Sequence, residues 1–320
     1  MSSSADRSGL SRRRLIQAVG IAAASAVPFA GGRAEAATAA GRSSRHVAML
    51  VGAASQELSG SDFPALDAVA GPWTIRRSYG SQTDGIPSTF ADSVAGIDVG
   101  KRASVLSLKP DLTAMADGSL DAAVIAFVKS IPPGHRTFLT IWHEADGKIR
   151  SGKFTLEAWM AAFKRFCDLV HHAGGPTVYT ALILEAWSGQ QPEPGSTYEE
   201  LWPGQDATGC PYADVFAVDG SSDSGSEESL WGPAREFAKR VGVPWAISEI
   251  GCKSELSVDW MAENAVYAAG HAAAFLCWFS NDNNAVPTPG TDPAADSRSH
   301  QISLAYHTDP ATYVLPRPHR

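Results

Sequence analysis

The chain has 320 residues, 34 acidic and 26 basic, and a formal charge of −8. An acidic surface without a Lys/Arg cluster argues against nucleic acid and anionic membrane as partners. Four cysteines without close spacing leave no zinc framework, and no Gly-rich nucleotide loop or G-x-S-x-G elbow occurs.

The N-terminus reads SRRRLIQ at 11–17 and runs on into an Ala-rich apolar stretch, followed by AEA at 34–36 and ATA at 37–39. Paired arginines, a modest apolar segment and small-residue cleavage sites predict a twin-arginine export signal over residues 1–39. The stretch is too short to span a bilayer comfortably, and no other segment approaches a transmembrane helix. The expected product is a secreted, membrane-free, monomeric chain of residues 40–320, large enough for a single catalytic domain.

From residue 46 short apolar runs alternate with helical patterns. Strands are predicted at 46–54, 73–80, 103–109, 136–142, 176–184, 213–219, 244–250 and 272–279, nearly all continuous apolar runs suited to burial on both faces. Helices are predicted at 119–130, 155–172, 229–241 and 256–269. In the second of these Thr155 is the expected N-cap, and Trp159, Phe163, Phe166, Cys167 and Val170 form one apolar stripe. Ser119 is the expected cap of the first. Eight strand–helix units in this length predict an α/β fold, a (β/α)8 TIM barrel, over an open doubly wound sheet. The loops 188–211 and 281–300 are then expected to overhang the C-terminal rim. Cys167 and Cys277 read as core, whereas Cys210 and Cys252 lie in loops and are candidates for a disulfide.

In such a barrel the strand ends carry the chemistry. Strand two ends in Arg76, Arg77 and Tyr79, strand three in Lys109, and strand four in Trp142, His143 and Glu144. Strand six ends in Asp219, strand seven carries Glu249, strand eight delivers Trp278, and Trp187 follows strand five. Two carboxylates facing each other across a barrel mouth are what glycosidic hydrolysis needs, one as acid/base and one as nucleophile. Glu249, in an apolar strand, needs basic or hydroxyl partners to hold its charge. It also reads as a structural ion-pair partner of Arg76 or Lys109, and Glu144 as an ordinary loop acid. Trp278, Trp142 and Trp187 offer faces on which a sugar ring can lie, and Trp278 equally reads as core.

WHEADG at 142–147 and ISEIG at 247–251 resemble the acid/base and nucleophile segments of glycoside hydrolase family 26, in order and spacing over most of the chain beyond the signal. The resemblance implies Glu144 as acid/base, Glu249 as nucleophile, Trp278 as a platform beneath the cleaved sugar, and no cofactor or metal. It implies retaining endo-hydrolysis of a polysaccharide or oligosaccharide of β-1,4-mannan type, with β-1,3-xylan or mixed-linkage glucan as alternatives. Asp146 stands where the family often has asparagine. After Asp219 the chain reads GSSD in place of the tyrosine that the family sets beside its nucleophile, and Tyr79 is the candidate substitute. Two rivals are a carbohydrate-binding barrel with idle carboxylates and a metal-dependent hydrolase using His143, Glu144, Asp219 and Asp282. The second suffers from ligands spaced too tightly and the lack of an HExxH pair.

Overall fold

The computed structural model describes residues 48–55, 63–80, 85–94, 101–221, 225–251, 258–279, 289–290 and 293–315. The expected export signal, Cys252 and Asp282 lie outside the described residues. Parallel strands β1 (Leu50–Ser55), β2 (Ile75–Tyr79), β3 (Ala103–Leu108), β4 (Thr137–Ile141), β5 (Val178–Glu185), β6 (Val215–Ser221), β7 (Trp245–Gly251) and β8 (Phe275–Phe279) close into a barrel in chain order, with β8 paired back to β1. Helix α1 (Phe63–Ala70) follows β1 and α2 (Phe90–Val94) follows β2. Helices α3 (Leu112–Asp117) and α4 (Asp121–Lys129) follow β3, while α5 (Ala145–Arg150) and α6 (Leu156–Ala173) follow β4. After β5 come α7 (Ala186–Gln190) and α8 (Tyr198–Leu201), and α9 (Glu227–Val241), α10 (Asp259–Gly270) and α11 (Pro293–Ala305) follow the last three strands. The expected (β/α)8 barrel is the fold.

Alternation along each strand divides the buried side chains between two cores. Ile75, Val105, Phe138, Ala181 and Cys277 fill the barrel interior, closed at its base by Tyr313 and Leu315. Val51, Leu106, Leu139, Leu182 and Val218 face outward, where the apolar stripes of the helices cover them. Helix α6 keeps the predicted design: the Thr155 hydroxyl accepts the Ala158 N–H at 3.2 Å, and the stripe from Trp159 to Val170 is buried. Helix α4 departs from it. Ser119 donates its hydroxyl to Asp117 at 2.6 Å instead of capping, and Leu120 takes the N-cap position with no side-chain bond. The acid two residues earlier outcompetes the helix for that hydroxyl.

The segment after β5 is also not the overhang expected. Only α7 stays at the rim. Tyr198 of α8 packs on Phe216 and Phe237 at ring distances of 4.9 and 5.5 Å, so the chain descends along the barrel wall. It arrives near the start of β5, where the Tyr212 carbonyl accepts the Thr180 hydroxyl. Cys210, two residues earlier, has a free thiol among the described residues, and its expected partner Cys252 lies outside them. Cys167 and Cys277 are buried free thiols.

Candidate active site

The inward-facing positions near the C-terminal ends of β2, β3, β4, β6 and β7 turn polar in the same layer. Arg77 is fully buried above Ile75. Its guanidinium donates to both Asp219 oxygens, at 2.5 and 2.9 Å, and its Nη2 lies 2.8 Å from Glu249 Oε1. Ser248 adds a hydroxyl to Asp219 at 2.5 Å. Burial works against the Arg77 charge, but the two carboxylates outweigh it and hold the guanidinium more firmly protonated than a free arginine. The ion-pair partner of Glu249 is therefore Arg77, neither Arg76 nor Lys109.

Glu249 reaches this layer through a break in alternation. Ile247 and Ile250 both face the outer core, and the register of β7 slips against β6 at Val218/Asp219 and against β8 between Ile247 and Ile250. The bulge turns Ser248 and Glu249 both toward Asp219 and Arg77, where a regular strand would send Glu249 into the helix layer with Ile247.

At the end of β4 the backbone does similar work. Trp142 and Glu144 hold φ of 50° and 54°, the left-handed region that side chains larger than glycine rarely enter. Three bonds hold them there: Trp142 N–H to Leu108 O at 2.9 Å, its indole N–H to Pro110 O at 2.7 Å, and Glu144 N–H to Ile183 O at 3.0 Å. The kink sends the Trp142 ring out of the mouth and leaves His143 and Glu144 facing in. His143 shares a 2.5 Å hydrogen bond with Ser107 through Nδ1, and its ring lies 5.1 Å from that of Tyr79. Burial, and then Arg77, Lys109 and Lys148, hold it well below the ordinary histidine range, so it stays neutral.

Burial and the neighbouring Asp219 and Glu185 raise the Glu144 carboxyl, against Lys148, whose Nζ is 3.7 Å away, and Arg77. Burial also raises Glu249, opposed by Arg77 and reinforced by Asp219 and Glu144. The buried Tyr79 hydroxyl makes no hydrogen bond of good geometry, but it is close enough to Glu249 to help stabilise its charge. Tyr79 thus stands near Glu249 without a hydrogen bond to it.

One ligand atom each from His143, Asp219 and Glu249 falls within 4.8 Å of the others, a grouping that could hold a cation. The Arg77 guanidinium already bonds to both of those carboxylates and places a fixed positive charge there.

Three of the expected contact residues lie elsewhere. Trp278 is fully buried in the outer core, edge-on to Trp260 at 5.8 Å, because β8 alternation turns it to the helices. Arg76 faces the same side, 5.1 Å above the Phe63 ring. Trp142 is 5% exposed and packs on Phe154 at 5.5 Å, beside the mouth and not within it. Trp187 does reach the rim, 38% exposed, with the Arg150 guanidinium 4.9 Å from its ring centroid. Lys109 is half-buried beside the carboxylates.

Residues that the sequence reading passed over complete the layer: Ser107 and Ser248 as hydroxyl partners, Lys148 one helical turn after Glu144, and Glu185 at the end of β5. Glu185 was findable as a carboxylate closing an apolar strand. The serines carried no signal.

Asp146 is buried, and it accepts the Glu185 N–H at 2.9 Å and the Ser188 hydroxyl at 2.5 Å through Oδ2, while Oδ1 has no partner. Burial pushes it up to about 7 against the pull of those bonds. A carboxyl raised on folding contributes stability in acid that is lost as pH rises through 7. Asp146→Asn keeps the accepting oxygen and removes the charge. Its advantage over the parent should be larger by about 1–3 kcal/mol at pH 8 than at pH 5. Thermal melts at the two pH values check this, and equal melting shifts at both would contradict it.

No protein-family model matches the chain, nor does any curated protein. Solved structures do. A GH26 β-mannanase of Bacteroides ovatus superposes with a TM-score of 0.58 at 13% identity, over 85% of this chain and 95% of that one. A Bacillus subtilis mannanase gives 0.53 at 13%, over 83% and 86%. A Cellulomonas fimi endo-β-1,4-mannanase gives 0.55 at 14%, over 82% and 71%. At such identities the likeness is one of fold: this chain has the barrel that the glycoside hydrolase family 26 mannanases have.

Proposed function

We propose that the chain is a secreted retaining endo-β-glycanase acting on a glycan with a β-1,4-mannan-type backbone. The observation that carries this reading is the pair Glu144 and Glu249 at the barrel mouth, with Arg77 bonded to only one of them. Both carboxyls are raised, and each ionised form repels the other. Glu249, in direct contact with the guanidinium, ionises first, and the proton that the pair retains rests on Glu144.

Glu249 then attacks the anomeric carbon as the bond to the leaving oxygen breaks, and Glu144 delivers its proton to that oxygen. Glu144, now ionised, removes a proton from a water that displaces Glu249 and restores the first configuration. Arg77 holds Glu249 in line, with Tyr79 beside it, and neutral His143, tied to Ser107, packs next to them without adding charge. The mannanase folds among the structural neighbours support the choice of backbone.

Reducing-sugar release by the purified chain from β-1,4-mannan, galactomannan, mixed-linkage glucan, β-1,3-xylan and β-1,4-xylan tests the reading, with Glu249→Ala as the blank. Release from one polymer, absent in the blank, supports it. Binding without release on every polymer would replace it with a carbohydrate-binding barrel.

The pH profile offers a second check. Glu144 must be protonated, so activity should fall as pH rises through its raised pKa, and ionisation of Glu249 should form the acid limb. Glu144→Ala should lose the basic limb and about 10²–10⁴-fold of rate on substrates with poor leaving groups. On aryl glycosides with good leaving groups it should lose far less. An unchanged basic limb in this variant would refute Glu144 as the acid.

A further inference from the structure

At the end of the barrel opposite the mouth stands a buried guanidinium that the mechanism does not use. Arg136 immediately precedes β4, and its carbonyl accepts the Ser104 N–H of β3 at 2.9 Å. Residues two apart on an extended segment share a face, so Arg136 lies below Phe138 on the interior side. Tyr313, which closes the base, sets its ring centroid 5.5 Å from the guanidinium carbon. Arg136 is 5% exposed.

Its Nε and Nη1 are buried without a hydrogen-bond partner among the described residues. Arg77, at a similar depth near the mouth, is held by Asp219 and Glu249. No carboxylate among the described residues holds Arg136. The Tyr313 face attracts the cation but takes up neither N–H. The charge is felt nearby, since burial and then Arg136 hold His135 down at about 4. A buried water satisfies an N–H but leaves the charge uncompensated in a poorly solvated place, and an anion answers both needs. Nε and Nη1 point along different edges of the guanidinium plane, which suits a ligand with several acceptor oxygens better than a monatomic ion.

We propose that the base of the barrel is a binding site for a small oxyanion, a phosphate, sulfate or carboxylate group, held by Arg136 beside Tyr313. The site lies a full strand away from Glu144 and is independent of the glycanase reading. Its occupant neutralises the guanidinium and, through Tyr313, secures the residues that close the base.

The test is calorimetric titration of the full chain at low ionic strength with sodium phosphate, sodium sulfate and sodium acetate in turn. At least one should bind saturably, one per chain, and the one that binds distinguishes a tetrahedral anion from a carboxylate. Arg136→Met, which keeps an apolar stem, should lose at least about tenfold of that affinity. Lys109→Met, which removes a cation of the mouth instead, should bind as the parent does. Thermal melts give a second readout. At about 100 times its Kd the anion should raise the parent's Tm by at least about 3 °C and leave Arg136→Met unmoved. Without the anion the variant should melt at or above the parent, because a buried unpaired charge has been replaced by an apolar group.

If Arg136→Met does not fold, Arg136→Lys replaces it: the ammonium keeps the charge but loses the planar fork, and the same tenfold loss is expected. Silence of all three anions in the parent, equal affinity in the parent and the Arg136 variant, or loss of binding in Lys109→Met overturns the site.

Discussion

Glu249→Ala should abolish turnover, by at least about 10³-fold, and leave the fold standing. The two halves of this expectation have separate causes. On the proposed mechanism no covalent intermediate can form without the carboxylate, and Glu144 cannot replace it because its part there is to protonate the leaving oxygen. The fold survives because Arg77 keeps both of its bonds to Asp219. No buried guanidinium is orphaned, and the stability change should stay within about 1–2 kcal/mol.

The variant also empties a space at the guanidinium's Nη2, which lies 2.8 Å from Glu249 Oε1 in the parent. Azide should enter it and restore part of the rate on substrates with activated leaving groups, giving a product azide of inverted anomeric configuration. The readout is the product's configuration by NMR alongside the rate. Full activity in the variant, or rescue without inversion, would end the assignment of Glu249 as nucleophile.

Arg77→Met should be the most destabilising single change in the site. It leaves Asp219 and Glu249 facing each other in a layer with 4% of Asp219 exposed and no guanidinium between them. Breaking a buried pair in this way costs about 3–5 kcal/mol, a large fraction of the 5–15 kcal/mol that holds a typical domain together. The cost should depend on pH, with a definite sign. Burial already raises the Glu249 carboxyl, and loss of the guanidinium raises it further. The folded variant then binds protons more tightly than the unfolded chain, so the deficit is smallest in acid and grows as pH rises through the raised pKa.

Chemical denaturation at pH 5 and pH 8 should show this divergence, and a deficit independent of pH would contradict it. Asp219→Asn in the same chain should recover part of the lost stability by removing one of the two stranded charges. It should not recover activity, because Glu249 would remain protonated.

The barrel itself was legible along the chain. Eight apolar runs of strand length, separated by helical stripes such as the one from Trp159 to Val170, leave few ways to bury both faces of every strand. The carboxylates and cations of the mouth were legible as positions, since each stands at the end of an apolar run. Their grouping in one layer follows from the barrel once its strand order is known. Helix starts read less well, as Ser119 shows: its hydroxyl could accept a helix N–H as a cap or donate to Asp117, and the choice depended on geometry that composition does not carry.

Side-chain direction at the mouth belonged to the tertiary structure alone. Period-2 alternation would have put Glu249 with Ile247 in the helix layer, and only the bulge in β7, imposed by its neighbours β6 and β8, turns it inward. The positive φ at Trp142 and Glu144 separates an indole from a carboxylate that alternation would have set on one face, and bonds from β3 and β5 hold it. The same dependence sent Trp278 and Arg76 to the outer core and brought Tyr79 from β2 to Glu249 on β7.

Burial and periodicity are properties of a segment, and they fix which residues stand at the strand ends. Which of them face one another was decided only by the closed barrel, because register, bulges and ion pairs are properties of neighbouring segments.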